Sequence, residues 1–317
     1  MMQMIQYTDY KSLCQFSFEH GSFYKGSEVT DTIPASVPIF VHMDHIYHFF
    51  KRIEGMNREF TVVSAGSDYG LTYQSQESVW FDMQKWISNF VSIDHKAEYS
   101  PVIIPPRCDV KYCKIDDKYS IKMHSWTGFT FEHIPNNVKH WYSTNINIDH
   151  PRITRIPFGI PDWTFSKIQA RRQKSEHLKQ KRTINIFYAC SPNNVERVNL
   201  YNALKRIQSG PISEQANIYI GENMSHDDYV AALFNSKYVL CPEGNGYDCF
   251  RVLEALYAGA IPVLRGAAWN QVYNQLPCVI ISDWGQILSA LPEFQPSPLD
   301  NTAADLVQWR QRIITKT

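Results

Sequence analysis

In the second half of the sequence, short uninterrupted apolar runs alternate with amphipathic stretches, and that alternation restricts the architecture more than any other feature. Thr183 to Ala189 (TINIFYA), Asn217 to Ile220, Lys237 to Cys241 (KYVLC), Ala260 to Leu264 and Cys278 to Ser282 read as strands. Residues 193–207 place Val195, Val198, Leu200 and Leu204 at helical spacing. Ser225 and Asp228 form a capping-box variant that opens a helix to Phe234, and residues 248–258 make a third helix that Gly259 stops. A strand that is apolar at every position is covered on both faces, which points to a parallel sheet between helix layers.

The first half repeats the pattern less regularly. Val37 to Met43 (VPIFVHM) and Phe60 to Ala65 (FTVVSA) read as buried strands, with a helix from Asp44 to Ile53 between them. A helix is expected over Glu77 to Val91, a strand over Val102 to Ile104, a short helix from Pro135 to Trp141 and a strand over Ile153 to Ile156. Residues 107–134 carry no readable pattern. The stretch 166–182, SKIQARRQKSEHLKQKR, holds seven basic residues and one acid. It reads as a solvated linker or surface helix, or else as a basic rim for a phosphorylated ligand. A chain of 317 residues exceeds what one core usually supports. The expectation is an α/β protein of two domains, residues 1–165 and 183–317, facing each other across a cleft and joined by 166–182.

Charge narrows the function classes. Lys+Arg and Asp+Glu both total 31, so the chain has no overall electrostatic footprint for nucleic acid or an anionic membrane. No apolar run approaches the roughly 18 residues of a transmembrane span, and the start MMQMIQYTDYKSLCQF lacks the pattern of a secretory signal. The seven cysteines are scattered without a C-x-x-C pair and read as buried free thiols of a reducing, cytoplasmic setting.

Chemistry concentrates in Tyr238 to Arg265, YVLCPEGNGYDCFRVLEALYAGAIPVLR, a strand, a loop with Gly244 and Gly246, a helix and a strand. In open α/β sheets, ligands bind beyond the carboxyl ends of strands, where helix N-termini offer N–H groups to phosphate. Helical spacing puts Val252, Leu253, Leu256 and Tyr257 on one face, and Arg251, Glu254, Ala255 and Ala258 on the other. On this reading the alanines leave room for a ligand. Arg251 then offers planar donors to a diphosphate and Glu254 accepts from both hydroxyls of a ribose. The competing reading is an exposed ion pair contributing about 0.2–0.5 kcal/mol.

Cys241-Pro-Glu-Gly-Asn-Gly-Tyr-Asp248 followed by Arg251-Val-Leu-Glu254-Ala-Leu-Tyr-Ala-Gly-Ala-Ile-Pro-Val resembles the donor-binding motif of exostosin-like glycosyltransferases. Pro157-Phe158-Gly159-Ile160 is similar to the P-x-G-I segment that precedes the second domain in sugar transferases of the two-Rossmann (GT-B) fold. The likeness is specific over about thirty residues, looser across 140–285, and only compatible with the first 130. It implies two Rossmann-like domains, a nucleotide-diphosphate-sugar donor of UDP or GDP type held by the C-terminal domain, and a glycan or other hydroxyl acceptor on the N-terminal side. It also implies donor-binding roles for Asn194, Arg197, Glu243, Gly244, Asn245, Gly246, Asp248, Arg251 and Glu254. Glu243 departs from the pattern, because a basic residue is usual there. A carboxylate beside a diphosphate is repulsive, so Glu243 is expected to face the sugar, the acceptor or the base.

No D-x-D triplet, HExxH or zinc spacing occurs, so a metal-independent transferase without cofactor is expected, its leaving diphosphate held by Arg, Lys and backbone N–H groups. Asp116-Asp117 and Asp227-Asp228 read as solvated loop and helix-cap pairs. An inverting transfer needs a base on the N-terminal side. Asp68, in the loop after FTVVSA, is the first candidate, with His42 at the end of VPIFVHM second and Asp44 third. A turn role for Asp68 is the alternative. The rival functions are a silent nucleotide-sugar or glycan-binding protein, and a nucleotide-sugar epimerase.

Overall fold

The computed structural model describes residues 4–6, 9–14, 16–19, 22–24, 37–43, 46–65, 71–75, 78–81, 91–93, 108–114, 119–126, 130–131, 134–146, 149–174, 181–191, 195–211, 216–244, 246–266, 268–274, 276–295 and 305–315. The N-terminal half is built on β1 (Phe16–Glu19), β2 (Ser22–Tyr24), β3 (Ile39–His42), α1 (Ile46–Ile53), β4 (Phe60–Ala65), β5 (Val138–Ser143) and β6 (Ile153–Arg155). They form one sheet in the order β6-β5-β4-β3-β1-β2, parallel except for the β1–β2 hairpin.

Strand alternation divides these side chains between two cores. Ile39, Val41, Val62 and Trp141 point to one face and pack with Ile46, Phe49, Phe50 and Ile53 of α1. The rings of Phe50 and Trp141 meet edge to face at 5.2 Å. Phe40, Val63, Ala65 and Tyr142, one residue out of phase, point to the other face.

The C-terminal half runs α2 (Asp162–Gln173), β7 (Ile184–Tyr188), α3 (Val195–Gln208), β8 (Ile218–Ile220), α4 (His226–Asn235), β9 (Ser236–Leu240), α5 (Arg251–Tyr257), β10 (Ile261–Arg265) and β11 (Val279–Ile281), with α6 (Leu306–Thr315) at the end. Its sheet is wholly parallel in the order β8-β7-β9-β10-β11. The chain moves from β7 outward to β8, then returns to β9 on the other side of β7. That reversal leaves a crevice at the carboxyl ends of β7 and β9. The same alternation operates here: Ile186, Tyr188, Tyr238 and Leu240 enter one core, and Phe187, Val239 and Leu264 the other.

Phe187, Val239 and Leu264 share one continuous apolar cluster with Phe40, Val63 and Tyr142 of the N-terminal half. Polar links reinforce it. The Tyr257 hydroxyl accepts the Ile5 N–H at 2.8 Å, and Tyr142 donates to the Arg312 carbonyl at 2.9 Å, tying α6 to β5. Ser225 caps α4 as the sequence implies, its hydroxyl accepting the Asp228 N–H at 3.1 Å. Gly259 stops α5 with φ +76°, a conformation that costs glycine little.

Two expected helices are replaced by strands. Ser78–Phe81 and Val91–Ile93 are strands, and 82–90 lies outside the described residues. Val79 and Trp80 stand opposite Tyr73 and Thr72 in an antiparallel register, which suits β-branched and aromatic residues. Val138–Ser143 is strand β5 rather than part of a helix from Pro135, because it pairs in parallel with β4 on one side and β6 on the other. The region without readable pattern contains Cys108–Lys114, Tyr119–Trp126 and Thr130–Phe131, each a strand in a small antiparallel sheet. The expected strand 102–104 lies outside the described residues.

The basic stretch 166–182 is helical in its first part, within α2, and buries Ile168. At its end Arg182 is buried and donates to the carbonyls of Leu233, Ser236 and Ala258 at 3.3, 2.6 and 2.7 Å. Among the described residues, no helix is long and apolar enough to cross a membrane.

Candidate functional site

A cavity of about 730 Å³ opens over the carboxyl ends of β7, β8 and β9, where the strand order reverses. Ala189, Cys190 and Ser191 after β7, Gly221 to Met224 after β8, and Gly244 and Asp248 to Phe250 after β9 form its floor and sides. Arg197 and Tyr201 of α3, Tyr229 of α4, and Arg251 and Glu254 of α5 project into it. Phe158 and Trp163, from the segment that joins the halves, close one wall. Phe158 stacks on Phe250 at 4.7 Å, and Trp163 meets Phe250 edge-on at 5.9 Å.

Two arginines supply positive charge to the lining, beside the carboxyl groups of Glu222, Asp248 and Glu254. Arg197 is buried, and its Nε donates to the Glu243 carbonyl at 2.9 Å. A Cβ at Gly244 would lie 3.0 Å from Arg197 Nη2, so glycine is what allows the loop to lie against the guanidinium. Arg251, at the start of α5, has a buried Nε with no hydrogen-bond partner among the described residues. A buried charged donor left unbonded is a costly state, and a ligand oxygen would relieve it.

Glu254 is 4% exposed and occupied on both oxygens. Thr164 of α2 donates to Oε1 at 2.8 Å, and Tyr229 of α4 donates to Oε2 at 2.6 Å. One carboxylate thus fastens three helices while still lining the cavity. Asp248 plays a comparable part for the loops. Its Oδ2 accepts from the Phe158 N–H at 3.0 Å and the Tyr273 hydroxyl at 2.6 Å, and its Oδ1 accepts from the Cys249 N–H at 2.7 Å. Its own N–H donates to Asn145 Oδ1 at 2.8 Å, and Asn145 holds φ 57° to present that oxygen. Burial, aided by the neighbouring Cys249, pushes the Asp248 carboxyl up to about 7 against these donors.

Of the residues singled out in the sequence, Arg197, Gly244, Asp248, Arg251 and Glu254 meet at the cavity. Gly246 is close by, its carbonyl accepting the Gly244 N–H at 3.1 Å, but it does not line the space. Asn194, Asn245, Asp68 and Asp44 lie outside the described residues. His42 ends β3, half-buried, and is not among the lining residues.

Two expectations about this helix and loop change. Glu243 does not line the cavity: it is buried, with Oε2 at 3.9 Å from Arg265 Nη2, a counter-charge that a buried carboxylate needs. Ala255 and Ala258 do not leave room for a ligand, because both are fully buried in the core. Helical periodicity alone divided α5 into two faces, whereas α2, α4, β9 and β10 enclose it, and every residue from Val252 to Ala258 is buried. Sequence reading missed Trp163, Tyr229 and Thr164, none of which belongs to a motif. Phe158 sits within the Pro157–Ile160 segment already noted, whose Gly159 has φ 88°.

Among the described residues, no group of three or more His, Cys, Asp and Glu side chains is placed to hold a metal ion.

Residues 164–313 match the family model described as RXYLT1 C-terminal domain. Over 67 residues the chain is 43% identical to Exostosin-1 of Drosophila melanogaster, a stretch that is 20% of this chain and 8% of that protein's length. These likenesses do not support the expected cytoplasmic location. The match over 164–313 runs from within α2 through most of α6 and includes all of the cavity lining but Phe158 and Trp163. The family match and the Exostosin-1 likeness together support an exostosin-like family for the C-terminal half.

Proposed function

We propose that this protein is a glycosyltransferase that binds a nucleotide-diphosphate-sugar donor in the cavity above β7 and β9. It passes the sugar to a hydroxyl of a glycan or similar acceptor, without a metal ion and with inversion. The observation that carries the reading is the pair Arg197 and Arg251 projecting into a pocket at the strand-order reversal of a parallel sheet. Two guanidiniums in a partly buried site are suited to a departing diphosphate, because their charge gains strength as bulk water is excluded. The Phe158–Phe250–Trp163 wall gives apolar ring faces for a base or a sugar. Glu254 reaches the same space with its orientation fixed by Tyr229 and Thr164.

The acceptor's proton needs a base on the N-terminal side, and Asp68 is proposed for it, with His42 next. Asp68→Asn is nearly isosteric but takes no proton. Turnover is expected to fall about 10²–10⁴-fold with nucleotide affinity unchanged. Near-parental turnover would remove Asp68 from the role and send the same assay to His42→Gln. Donor hydrolysis across UDP-, GDP- and CMP-sugars tests the activity itself. Slow sugar release from one of them supports a transferase, and binding without any release identifies a silent binding protein.

A further inference from the structure

Among the described residues, four large apolar side chains are well exposed, Trp163, Tyr219, Ile280 and Leu288, and of these Trp163 alone lines the cavity. Its ring is 50% exposed, although it meets Phe250 edge-on at 5.9 Å and lies nearly parallel to the His226 imidazole with centroids 6.4 Å apart. An indole left open to water at a polar cavity is unfavourable, and a planar ring stacked on it recovers that cost.

The ring is tied to the anion-binding end of the cavity. Thr164, the next residue, donates to Glu254 Oε1 at 2.8 Å, and Glu254 lies about one turn along α5 from Arg251 with its unbonded Nε. The aromatic wall also has a direction. At one end the Phe158 N–H bonds Asp248, whose own N–H is held by Asn145 of the N-terminal half. Phe250 follows, then Trp163, and His226 at the start of α4 closes the series. A nucleotide-diphosphate-sugar carries its sugar on one phosphate and its nucleoside on the other. A sugar turned toward an acceptor on the N-terminal side therefore leaves the base at the Trp163 end. Polar partners for a base edge stand there as well, in the loop that leads to α4. Glu222 lines the cavity with Oε1 held by Tyr201 and Lys205 at 2.6 and 2.7 Å, and Asn223 beside it offers both donors and an acceptor.

We propose that Trp163 is the platform on which the nucleobase of the donor stacks, an assignment that rests on the donor-site reading and names the end of the cavity that the nucleoside takes. Stacking uses the π-face that every base has, so the ring supplies affinity to uracil and guanine alike and does not choose between them. The diphosphate is held by Arg197 and Arg251 and needs no ring. Trp163 therefore adds to the binding of a nucleoside diphosphate and adds nothing to the binding of inorganic pyrophosphate.

The test titrates UDP, GDP and pyrophosphate by calorimetry into the parent protein, Trp163→Ala and Trp163→Phe. Whichever nucleoside diphosphate binds the parent is expected to bind Trp163→Ala about tenfold more weakly and Trp163→Phe within about threefold of the parent. Pyrophosphate affinity should be equal in all three. With excitation selective for tryptophan, saturating nucleotide should quench the parent's emission and quench that of Trp163→Phe much less. Equal nucleotide affinity in the parent and Trp163→Ala overturns the proposal while leaving the donor site in place, even if sugar release falls. A loss of pyrophosphate binding as large as the loss of nucleotide binding also overturns it, because the ring then serves the diphosphate site and not the base. A parent that binds neither nucleotide overturns the donor-site reading itself, and this assignment with it. Should Trp163→Ala fail to fold, the difference in quenching between the parent and Trp163→Phe decides the outcome.

Discussion

Asp248 Oδ2 accepts the backbone N–H of Phe158 at 3.0 Å, joining the loop after β9 to the segment that connects the two halves. The same oxygen receives Tyr273, and Oδ1 receives the Cys249 N–H. Asp248→Ala strips three buried donors of their acceptor, and each unpaired donor costs about 1–3 kcal/mol before any relaxation. The variant should therefore unfold at a clearly lower denaturant midpoint with its m-value unchanged. A midpoint equal to the parent's would show that water replaces the carboxylate without cost.

Asp248 also gives stability a definite pH dependence. Its carboxyl is raised from 3.8 to about 7, so between those values the folded state holds a proton that the unfolded state has released. Its contribution is complete below about pH 4 and is lost as the pH rises through 7. Measured against Asp248→Asn, which cannot titrate, the parent's relative stability should decline from pH 4 to 7 and then stay level. A relative stability that rises with pH over that range would contradict the burial argument.

Gly244 is set by its neighbour rather than by its own backbone. A Cβ there would come within 3.0 Å of Arg197 Nη2, and the guanidinium must move aside. Gly244→Ala should weaken nucleoside diphosphate binding several-fold while leaving the melting temperature near the parent's. Unchanged affinity by calorimetry would show that Arg197 does not contact the anion.

Tyr229→Phe tests the role of Glu254 as a fastening point. The 2.6 Å hydrogen bond to a buried carboxylate is lost, at a cost of about 1.5–3 kcal/mol. Chemical denaturation should show that loss, and Glu254→Gln combined with Tyr229→Phe should cost less than the sum of the two. Strict additivity would mean that the two side chains do not interact.

The C-terminal sheet was legible because its strands are buried on both faces and carry continuous apolar runs, as in KYVLC. The capping residue Ser225 and the stop at Gly259 were equally plain, since each follows from local backbone chemistry. The site was readable only in part. Arg251 and Glu254 stand out on the face of the helix that follows the Gly244–Gly246 loop and Arg197 through the likeness to a known family, but the partners of Glu254 do not stand out at all. Thr164 lies 90 residues away and Tyr229 25, and nothing in their local sequence marks them as ligands of a carboxylate. The alanines at 255 and 258 misled for a related reason, because periodicity gives the faces of a helix and says nothing of how many neighbours enclose it. The strand Val138–Ser143 depends on pairing with β4, more than seventy residues earlier in the sequence, as well as with β6.

The central claim is that Arg251, with its unbonded buried Nε, receives the diphosphate of a nucleotide donor. Calorimetric titration of UDP and GDP into the parent protein and into Arg251→Lys tests it most directly. An ammonium cannot reproduce the guanidinium fork, so one of the two nucleotides should bind the parent saturably and bind Arg251→Lys at least tenfold more weakly. Equal affinity for parent and variant, or no binding of either nucleotide to the parent, would contradict the account.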